Sequence, residues 1–239
     1  MENISRMYAA AKTWNPYKGC HFDCIYCRPS FQKQAKRQKN RCKECYDYKP
    51  HRHNSRLNKI PSAEIIFVCG NADISFCNDR DYIIEIIRSI KEHNKRCPYK
   101  TYYFQSKKPG YFKEFLTEFP ANVVLLTTLE TNRDAGYENV SKAPIPSERY
   151  KQFLNLDYSR KVVTIEPLMD FDVNVFSQWI IDIKPEYVWL GLNSRPSSVS
   201  LPEPSAEKLA EFVKILVNAG VQIRPKELRG LDIGLPVND

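Results

Sequence analysis

The chain has 239 residues, of which 36 are lysine or arginine and 28 are aspartate or glutamate, so its formal net charge is +8. Hydrophobic residues make up 42% and recur in short runs, which fits a folded protein with a sizeable core and excludes a disordered or fibrous chain. No apolar run approaches the roughly 18 residues of a membrane span, and the N-terminus lacks the apolar centre of a signal peptide. We therefore expect a cytoplasmic protein with no membrane partner.

The first chemical motif is the spacing Cys20-x3-Cys24-x2-Cys27. Eight cysteines in a chain expected in the cytoplasm favour metal binding over disulfides. Three thiolates of one loop can hold three irons of a [4Fe–4S] cluster and leave the fourth iron open to a substrate or cofactor. A zinc site would more often pair Cys-x2-Cys units, and a bacterial ferredoxin run has another spacing and a trailing Cys-Pro.

The next feature is a basic segment, residues 28–60, with eleven lysines or arginines against two acids, a net charge of +9. Such a segment favours contact with a polyanion, nucleic acid foremost, and a solvated face without a partner is the alternative. Tyr46 and Tyr48 lie among the cations, a mixture that can hold phosphates and stack bases. The candidate nucleic-acid contacts are Lys33, Lys36, Arg37, Lys39, Arg41, Lys49 and Arg52.

The same segment contains a second set of metal-ligand residues, Cys42, Cys45, His51 and His53. Two cysteines and two histidines are the inventory of a zinc site. The histidines stand only two residues apart instead of the usual spacing, so two free thiols in a polar loop are the alternative. Zinc or another metal at these four residues is therefore a hypothesis.

Beyond residue 60, runs rich in β-branched and aromatic residues alternate with helical patterns. The predicted strands are residues 64–69, 99–105, 123–129, 161–166, 186–191 and 221–224, with one more near 9–14. The predicted helices are residues 80–93, 111–118, 147–156, 173–183 and 205–219. Asp79 and Ser205 are candidate N-caps, and Gly220 ends the last helix. The alternation predicts an α/β fold with parallel strands, which form either a partial (β/α)6-type open barrel or a doubly wound sheet. We expect one domain over residues 1–239, with residues 28–60 as an insertion.

Ligands of such sheets bind beyond the C-terminal ends of the strands, so the polar residues that follow each strand are site candidates. They are residues 70–73, 105–108, 128–132, 166–168, 192–195 and 226–229. Cys77 follows the first of these stretches, and it is either a hydrogen-atom donor to a substrate radical or a structural thiol. Residues 133–147 are predicted to be a long loop, either a lid or a connector.

The cysteine motif, with Tyr26 before its last cysteine, resembles the radical S-adenosylmethionine (SAM) superfamily. Four further motifs resemble an uncharacterised phage and prokaryotic branch of that superfamily, which is distantly similar to spore photoproduct lyase. In chain order, these motifs are Trp14-Asn15-Pro16, Gln105-Ser106-Lys107-Lys108-Pro109, Thr128-Leu129-Glu130-Thr131-Asn132 and Glu166-Pro167-Leu168.

The resemblance implies that Cys20, Cys24 and Cys27 hold an oxygen-sensitive [4Fe–4S] cluster with SAM on its fourth iron. An electron from a donor such as flavodoxin or ferredoxin would then cleave SAM to a 5′-deoxyadenosyl radical. The resemblance also implies a set of cofactor contacts. They are Gly70, Asn71 and Asp73 at the SAM amino group, Lys107 or Lys108 at its carboxylate, Glu130 or Asn132 at its ribose, Gly191 and Asn193 near its adenine, and Tyr26 and Glu166 beside them.

The basic segment begins directly after Cys27, so a polyanion bound there would lie near the cluster. This proximity favours a nucleic acid such as tRNA or DNA, or a nucleotide, as the substrate of a modification or repair reaction. Radical chemistry on a peptide or small metabolite is one alternative. A non-catalytic, metal-stabilised module that binds nucleic acid is the other.

Overall fold

The computed structural model describes residues 11–231 and 233. Seven of its strands form one parallel sheet, and two short strands form an antiparallel pair. In chain order, the strands are β1 (Ala11–Trp14), β2 (Tyr17–Lys18), β3 (His51–Arg52), β4 (Ile65–Val68), β5 (Thr101–Gln105), β6 (Val123–Thr128), β7 (Lys161–Ile165), β8 (Tyr187–Leu190) and β9 (Ile223–Pro225). The sheet order is β1-β4-β5-β6-β7-β8-β9, and β2 pairs with β3. The predicted α/β fold with an open, partial barrel of parallel strands is confirmed.

Helices connect the strands, as a parallel sheet requires. They are α1 (Lys33–Ala35), α2 (Lys43–Tyr46), α3 (Arg80–Arg96), α4 (Pro146–Leu154), α5 (Val173–Ile183) and α6 (Ala206–Asn218). The predicted N-caps are confirmed, because the side chain of Asp79 accepts from the backbone N–H of Tyr82 at 3.0 Å and that of Ser205 from Lys208 at 3.2 Å. Among the described residues, no helix has both the length and the apolarity to cross a bilayer.

The core lies on both faces of the sheet, because alternate residues of a strand point to opposite sides. In β6, Val123 and Leu125 join the large cluster beneath the helices, whereas Val124 and Leu126 join a smaller cluster on the other face. Every residue of β6 and β7 is buried, as is typical of central strands in a parallel sheet that is covered on both faces.

One connection between strands differs from the sequence prediction, and the structure shows what a second connection contacts. The helix predicted at residues 111–118 is a 3₁₀ helix, Pro109–Phe115, which contains Gly110, a residue of low α-helix propensity. The long loop at 133–147 packs against the cysteine motif, where the N–H of Ile25 donates to the carbonyl of Val140 at 2.9 Å and that of Lys142 to Phe22 at 2.7 Å.

The basic segment is joined to the cysteine motif by the β2–β3 pair and by a close backbone contact at Gly19. Gly19 has φ +89°, and a Cβ there would lie 2.0 Å from the carbonyl oxygen of Lys49. The next residue, Cys20, donates its N–H to the carbonyl of Tyr48 at 3.1 Å. Glycine is therefore required at position 19 both by the backbone conformation and by the lack of space.

We expect Gly19→Ala to lower the free energy of unfolding by about 3 kcal/mol, because it adds the displacement of the Lys49 backbone to the strain of a left-handed residue. The matched control is Gly220→Ala. Gly220 has φ +78° but nothing within 4 Å of the added Cβ, so only the strain of about 1–2 kcal/mol applies. Urea denaturation of both variants measures the difference, and equal losses would contradict the close contact at Gly19.

Candidate cluster and cofactor site

A cavity of about 320 Å³ lies at the C-terminal ends of the parallel strands, beneath the loop that carries the cysteine motif. Strand ends and the cysteine loop both contribute to its lining. The predicted site residues that line it are Cys20, Cys24, Tyr26, Cys27, Gly70, Asn71, Asp73, Lys107, Glu166 and Asn193. The structure thus brings residues that are far apart in the sequence to one cavity, at the edge where ligands of parallel sheets bind.

The cysteine loop is held by its own backbone and by a neighbouring loop. Cys27 ends a 3₁₀ turn in which its N–H donates to the carbonyl of Cys24 at 2.9 Å. The thiol of Cys24 lies 3.0 Å from the hydroxyl of Ser141. Between the first two cysteines, Asp23 adopts a left-handed φ of 47°, and its carboxylate binds the Arg28 guanidinium at 2.9 Å. These bonds shape the loop so that all three thiols line the cavity.

The three thiols are unequal as acids. Burial, followed by the charge of Asp73, raises the pKa of Cys20. A hydrogen bond from Cys27 lowers the pKa of Cys24 despite its burial, with further help from Lys107. Three neighbouring thiolates, one buried and two half-buried, repel one another, so all three ionise together only around a positive centre.

Three cysteine thiols that come from one loop and line one cavity are a donor set suited to an iron–sulfur cluster. Within residues 11–231 and 233, the only set of three or more ligand atoms that lie within 4.8 Å of one another belongs to Cys42, Cys45, His51 and His53. Cys20, Cys24 and Cys27 do not form such a compact set, although a hydrogen bond joins the thiols of Cys24 and Cys27. These three residues would hold the cluster from one side, facing the cavity.

A buried carboxylate, Glu130, lies beneath the cysteine loop. The hydroxyl of Tyr26 and the ammonium of Lys107 both donate to its Oε1, and the Tyr137 hydroxyl lies 3.2 Å away. The guanidinium of Arg149 pairs with Oε2 at 2.7 Å, and neither side chain of this pair is exposed. Burial alone would raise the pKa of Glu130, but the charges of Arg149 and Lys107 lower it well below its usual range. Glu130 is therefore ionised.

This group leaves an excess of positive charge under the cavity, since two cations surround one carboxylate. Lys107 lines the cavity, and its side chain is 13% exposed. Burial alone would lower the pKa of Lys107, but the charge of Glu130 raises it, so the ammonium stays protonated. The excess charge stabilises an anion in the cavity, such as a thiolate-bound cluster or a carboxylate.

The loop after β4 forms one wall of the cavity, and Asp73 fixes it. One carboxylate oxygen of Asp73 accepts from the hydroxyls of Ser75 and Ser106, each at 2.7 Å, and the other accepts from the N–H of Lys107 at 2.8 Å. Asp73 thus ties this loop to the end of β5. Gly70 makes the tight turn possible, because a Cβ there would lie 2.1 Å from the ring of Phe67.

The opposite wall comes from β7, β8 and β9. The ammonium of Lys226 pairs with Glu166, at 2.5 Å from Oε2. Gly191 leaves room for this pair, since its Cβ would lie 3.2 Å from Cβ of Lys226. Asn193 is buried, and its amide donates to the carbonyl of Val199 at 2.6 Å. At the rim, the exposed Arg195 has no side-chain partner in the described part of the chain, so its charge is available to a ligand.

Several predicted site residues do not line the cavity. Glu130 lies beneath it. Lys108 is exposed, and Asn132 accepts from the N–H of Asp172 at 2.8 Å on the surface. Cys77 is 3% exposed and lines a separate surface depression of about 620 Å³. The geometry therefore offers no support for direct SAM contacts by Lys108 and Asn132, or for hydrogen-atom donation by Cys77.

Sequence reasoning missed Ser141, Tyr137 and Arg149, which hold the cysteine loop or its buried carboxylate. One signal was present for Arg149. It stands four residues before Phe153 on the buried face of α4, where a charged side chain needs a buried partner. Ser141 lies in an irregular loop, and no local pattern marks it.

The basic segment presents most of its predicted contacts to solvent. Lys36 and Arg52 are engaged within the protein: Lys36 lies 4.2 Å from the ring centre of Tyr46, and Arg52 pairs with Asp79. The other five, Lys33, Arg37, Lys39, Arg41 and Lys49, are exposed, and none of their side chains has a partner within residues 11–231 and 233.

The segment also forms part of the cavity wall. Phe31, which is 40% exposed, and Tyr48 line the cluster cavity. The same two rings line an adjoining cavity of about 190 Å³, together with Arg37. Phe31 and Tyr48 thus lie between the cluster cavity and a cavity that Arg37 also lines.

Comparison with known proteins supports the fold. No protein-family model and no curated protein sequence matches the chain. Among solved structures, it is similar to Streptococcus suis SuiB, in a crystal structure bound to the precursor peptide SuiA, with a TM-score of 0.57 and 10% sequence identity. The match covers 92% of this chain and 49% of SuiB, so the chain spans about half the length of that protein. At this identity the match shows a shared fold, and the likeness to spore photoproduct lyase stays a prediction.

The buried ion group makes a stability prediction. Glu130→Gln keeps the shape of the side chain but leaves Lys107 and Arg149 without their anion, so we expect a loss of about 3–5 kcal/mol in the free energy of unfolding. The control is Glu118→Gln. Glu118 pairs with Lys91 at 3.3 Å, and both side chains are exposed, 38% and 42%, so a loss below about 1 kcal/mol is expected.

Urea denaturation at several pH values measures both variants. Because the folded-state pKa of Glu130 is lowered, its contribution is complete above the ordinary glutamate pKa of about 4.3 and is lost as the pH falls below it. The difference between wild type and Glu130→Gln should shrink in acid. A difference that is small at neutral pH would contradict the assigned ion group.

Proposed function

We propose that this chain is a radical SAM enzyme. The observation that carries the proposal is that three cysteine thiols of one loop line a cavity at the C-terminal ends of a half-barrel of parallel strands. Cys20, Cys24 and Cys27 would hold a [4Fe–4S] cluster. When bound together, the cluster and SAM supply one-electron cleavage of SAM to methionine and a 5′-deoxyadenosyl radical, with flavodoxin or ferredoxin as the proposed electron donor.

The residues of the chain would orient SAM and shield the radical. Lys107 and Arg195 offer positive charge to a carboxylate at opposite sides of the cavity. Gly70 lines the cavity and would offer its backbone carbonyl to an amino group, whereas the carbonyl of Asn71 already accepts from the N–H of Gly19 at 3.0 Å. The ring of Phe22 adds an apolar wall that excludes water.

We expect Cys24→Ala to lose both the cluster absorption and SAM cleavage, because a cubane with two cysteine ligands is poorly retained. Anaerobically reconstituted wild type should contain about four irons per chain at this site. The control is Cys97→Ala, which changes a half-buried thiol at the end of α3, outside the cavity.

Iron analysis, absorption spectroscopy and dithionite-driven production of 5′-deoxyadenosine check this outcome. Cleavage of SAM by Cys24→Ala at the wild-type rate would refute the ligand assignment. An intact wild-type cluster that cleaves no SAM would favour the non-catalytic module.

For the substrate we propose a nucleic acid, tRNA or DNA, or a nucleotide. Lys33, Arg37 and Lys39 carry charge without an internal partner, again within the described residues. Phosphates bound by these cations would bring bases beside the aromatic wall of Phe31 and Tyr48. The arrangement therefore joins a polyanion contact to the cavity where the radical would form.

A peptide substrate is the second candidate. It is favoured by the structural similarity to SuiB, which was solved with a precursor peptide. Anaerobic turnover with deuterated tRNA, DNA or peptide distinguishes the two, because deuterium moves into 5′-deoxyadenosine only from the molecule that loses the hydrogen atom. Transfer from peptide alone would replace the nucleic-acid proposal.

The triple variant Lys33→Ala, Arg37→Ala, Lys39→Ala tests the basic segment. If each cation neutralises one phosphate, each substitution should reduce the magnitude of the slope of log affinity against log salt concentration by about 0.7–0.9. The triple variant should therefore reduce that magnitude by about two to three. The charge-matched control replaces Lys113, Lys151 and Lys214, which are exposed on the helical side of the sheet. Nucleic-acid binding is measured by anisotropy across a salt series, with iron content recorded for each protein.

The control should keep the wild-type slope. Equal slopes for all three proteins would identify the segment as a solvated face. Loss of iron from the first variant alone would identify it as a structural support of the cysteine loop.

A further inference from the structure

A second group of metal-ligand side chains lies within the basic segment, outside the cluster cavity. The ligand atoms of Cys42, Cys45, His51 and His53 all lie within 4.8 Å of one another. The thiol of Cys45 is 3.3 Å from Nε2 of His51 and 3.1 Å from Nε2 of His53, and the thiol of Cys42 is 3.5 Å from Nε2 of His51. The two Nε2 atoms are 2.8 Å apart.

These distances are close to the edges of a tetrahedron around one zinc ion. Bond lengths of about 2.3 Å to sulfur and 2.0–2.1 Å to nitrogen give edges of about 3.6 Å from sulfur to nitrogen and 3.3 Å between nitrogens. The observed group is tighter by a few tenths of an ångström, so a small outward shift of flexible side chains would admit the ion.

The local structure explains how an unusual histidine spacing can serve one metal. His51 lies in β3 and His53 follows it, and residues two apart in extended backbone point to the same side. Cys42 and Cys45 stand at the start of α2, where the thiol of Cys42 accepts from the N–H of Cys45 at 3.4 Å. A helix start and a strand thus each present two ligands to the same point.

The residues around this group favour metal binding by the four side chains together, and not four side chains with independent roles. Nδ1 of His51 lies 2.7 Å from the carbonyl of Lys49, which places the proton on Nδ1 and leaves Nε2 free for a metal. The ammonium of Lys18 lies 3.7 Å from the thiol of Cys45, so it contacts one ligand atom of the group. Two thiolates would also neutralise the ion within a segment whose own net charge is +9.

We propose that Cys42, Cys45, His51 and His53 bind one Zn²⁺ as a closed structural site. Four protein ligands leave no open position, and two sulfur with two nitrogen donors in a tetrahedron suit zinc. Its role is positional. The ligands flank Tyr48 and Lys49, whose carbonyl oxygens contact the cysteine loop at Cys20 and Gly19, so the ion fixes the wall of the cluster cavity.

The test uses the full chain purified anaerobically, with zinc measured by mass spectrometry and its ligands by X-ray absorption. We expect about one zinc per chain with two sulfur and two nitrogen neighbours. Cys42→Ser with Cys45→Ser should lose this zinc, and Cys97→Ser should keep it. Cys24→Ala should lose cluster iron and keep the zinc, so failure of the zinc site is distinguishable from failure of the radical SAM proposal.

A substitution that preserves metal binding shows whether loss of zinc from the other variants results from misfolding. His53→Cys converts the group to three cysteines and one histidine, which is also a structural zinc set, so zinc should stay and its sulfur neighbours should rise from two to three. His53→Ala should bind zinc more weakly. The proposal would be overturned if the wild type took up no zinc. It would also be overturned if the Cys42→Ser, Cys45→Ser protein kept zinc at full occupancy with unchanged ligands.

Discussion

The buried carboxylate of Glu130 is the interaction on which the site depends most. It connects the cysteine loop through Tyr26, the end of β5 through Lys107, and α4 through Arg149. Charges removed from water are stable only when they are paired, so none of these partners can move alone without leaving a buried charge. The group therefore fixes the distance between the cysteine loop and the sheet, and it does so while keeping one positive charge in excess beneath the cavity.

The fold could be predicted from the sequence because strand and helix periods are local properties. Each predicted strand end contributes at least one residue to one cavity, because parallel strands share the edge at which they end. The rest depends on packing between distant segments. Nothing local indicated that Glu130 would be buried beneath Tyr26 while Asn132, two residues later, would lie half-buried at the surface against Asp172. For the same reason Cys77, close to the cavity residues in sequence, lies outside the cavity.

The basic segment separates two tasks between its two sides. Its inner side, with Cys45 buried and Tyr48 against the cysteine loop, is structural. Its outer side carries Lys33, Arg37 and Lys39 in solvent. Eleven cations against two acids repel one another, and such a segment keeps one conformation only if something outweighs the repulsion. The β2–β3 pair and the proposed zinc site both act on the inner side, which leaves the outer charges free to contact a partner.

The size of the cavity limits how a polymer could react there. A volume of about 320 Å³ is at the small end for a ligand pocket, so a folded RNA, a duplex or a peptide chain cannot enter as a whole. Only one unit of such a polymer would reach the reacting centre, past Phe31 and Tyr48.

For a nucleic acid this means an extruded or unpaired nucleotide, whose unstacking costs a few kcal/mol. The two aromatic rings can offset that cost by stacking on the base, and cations beyond them can hold the flanking phosphates. The proposed substrate contact and the cavity are therefore compatible only if the basic segment stays fixed against the cysteine loop.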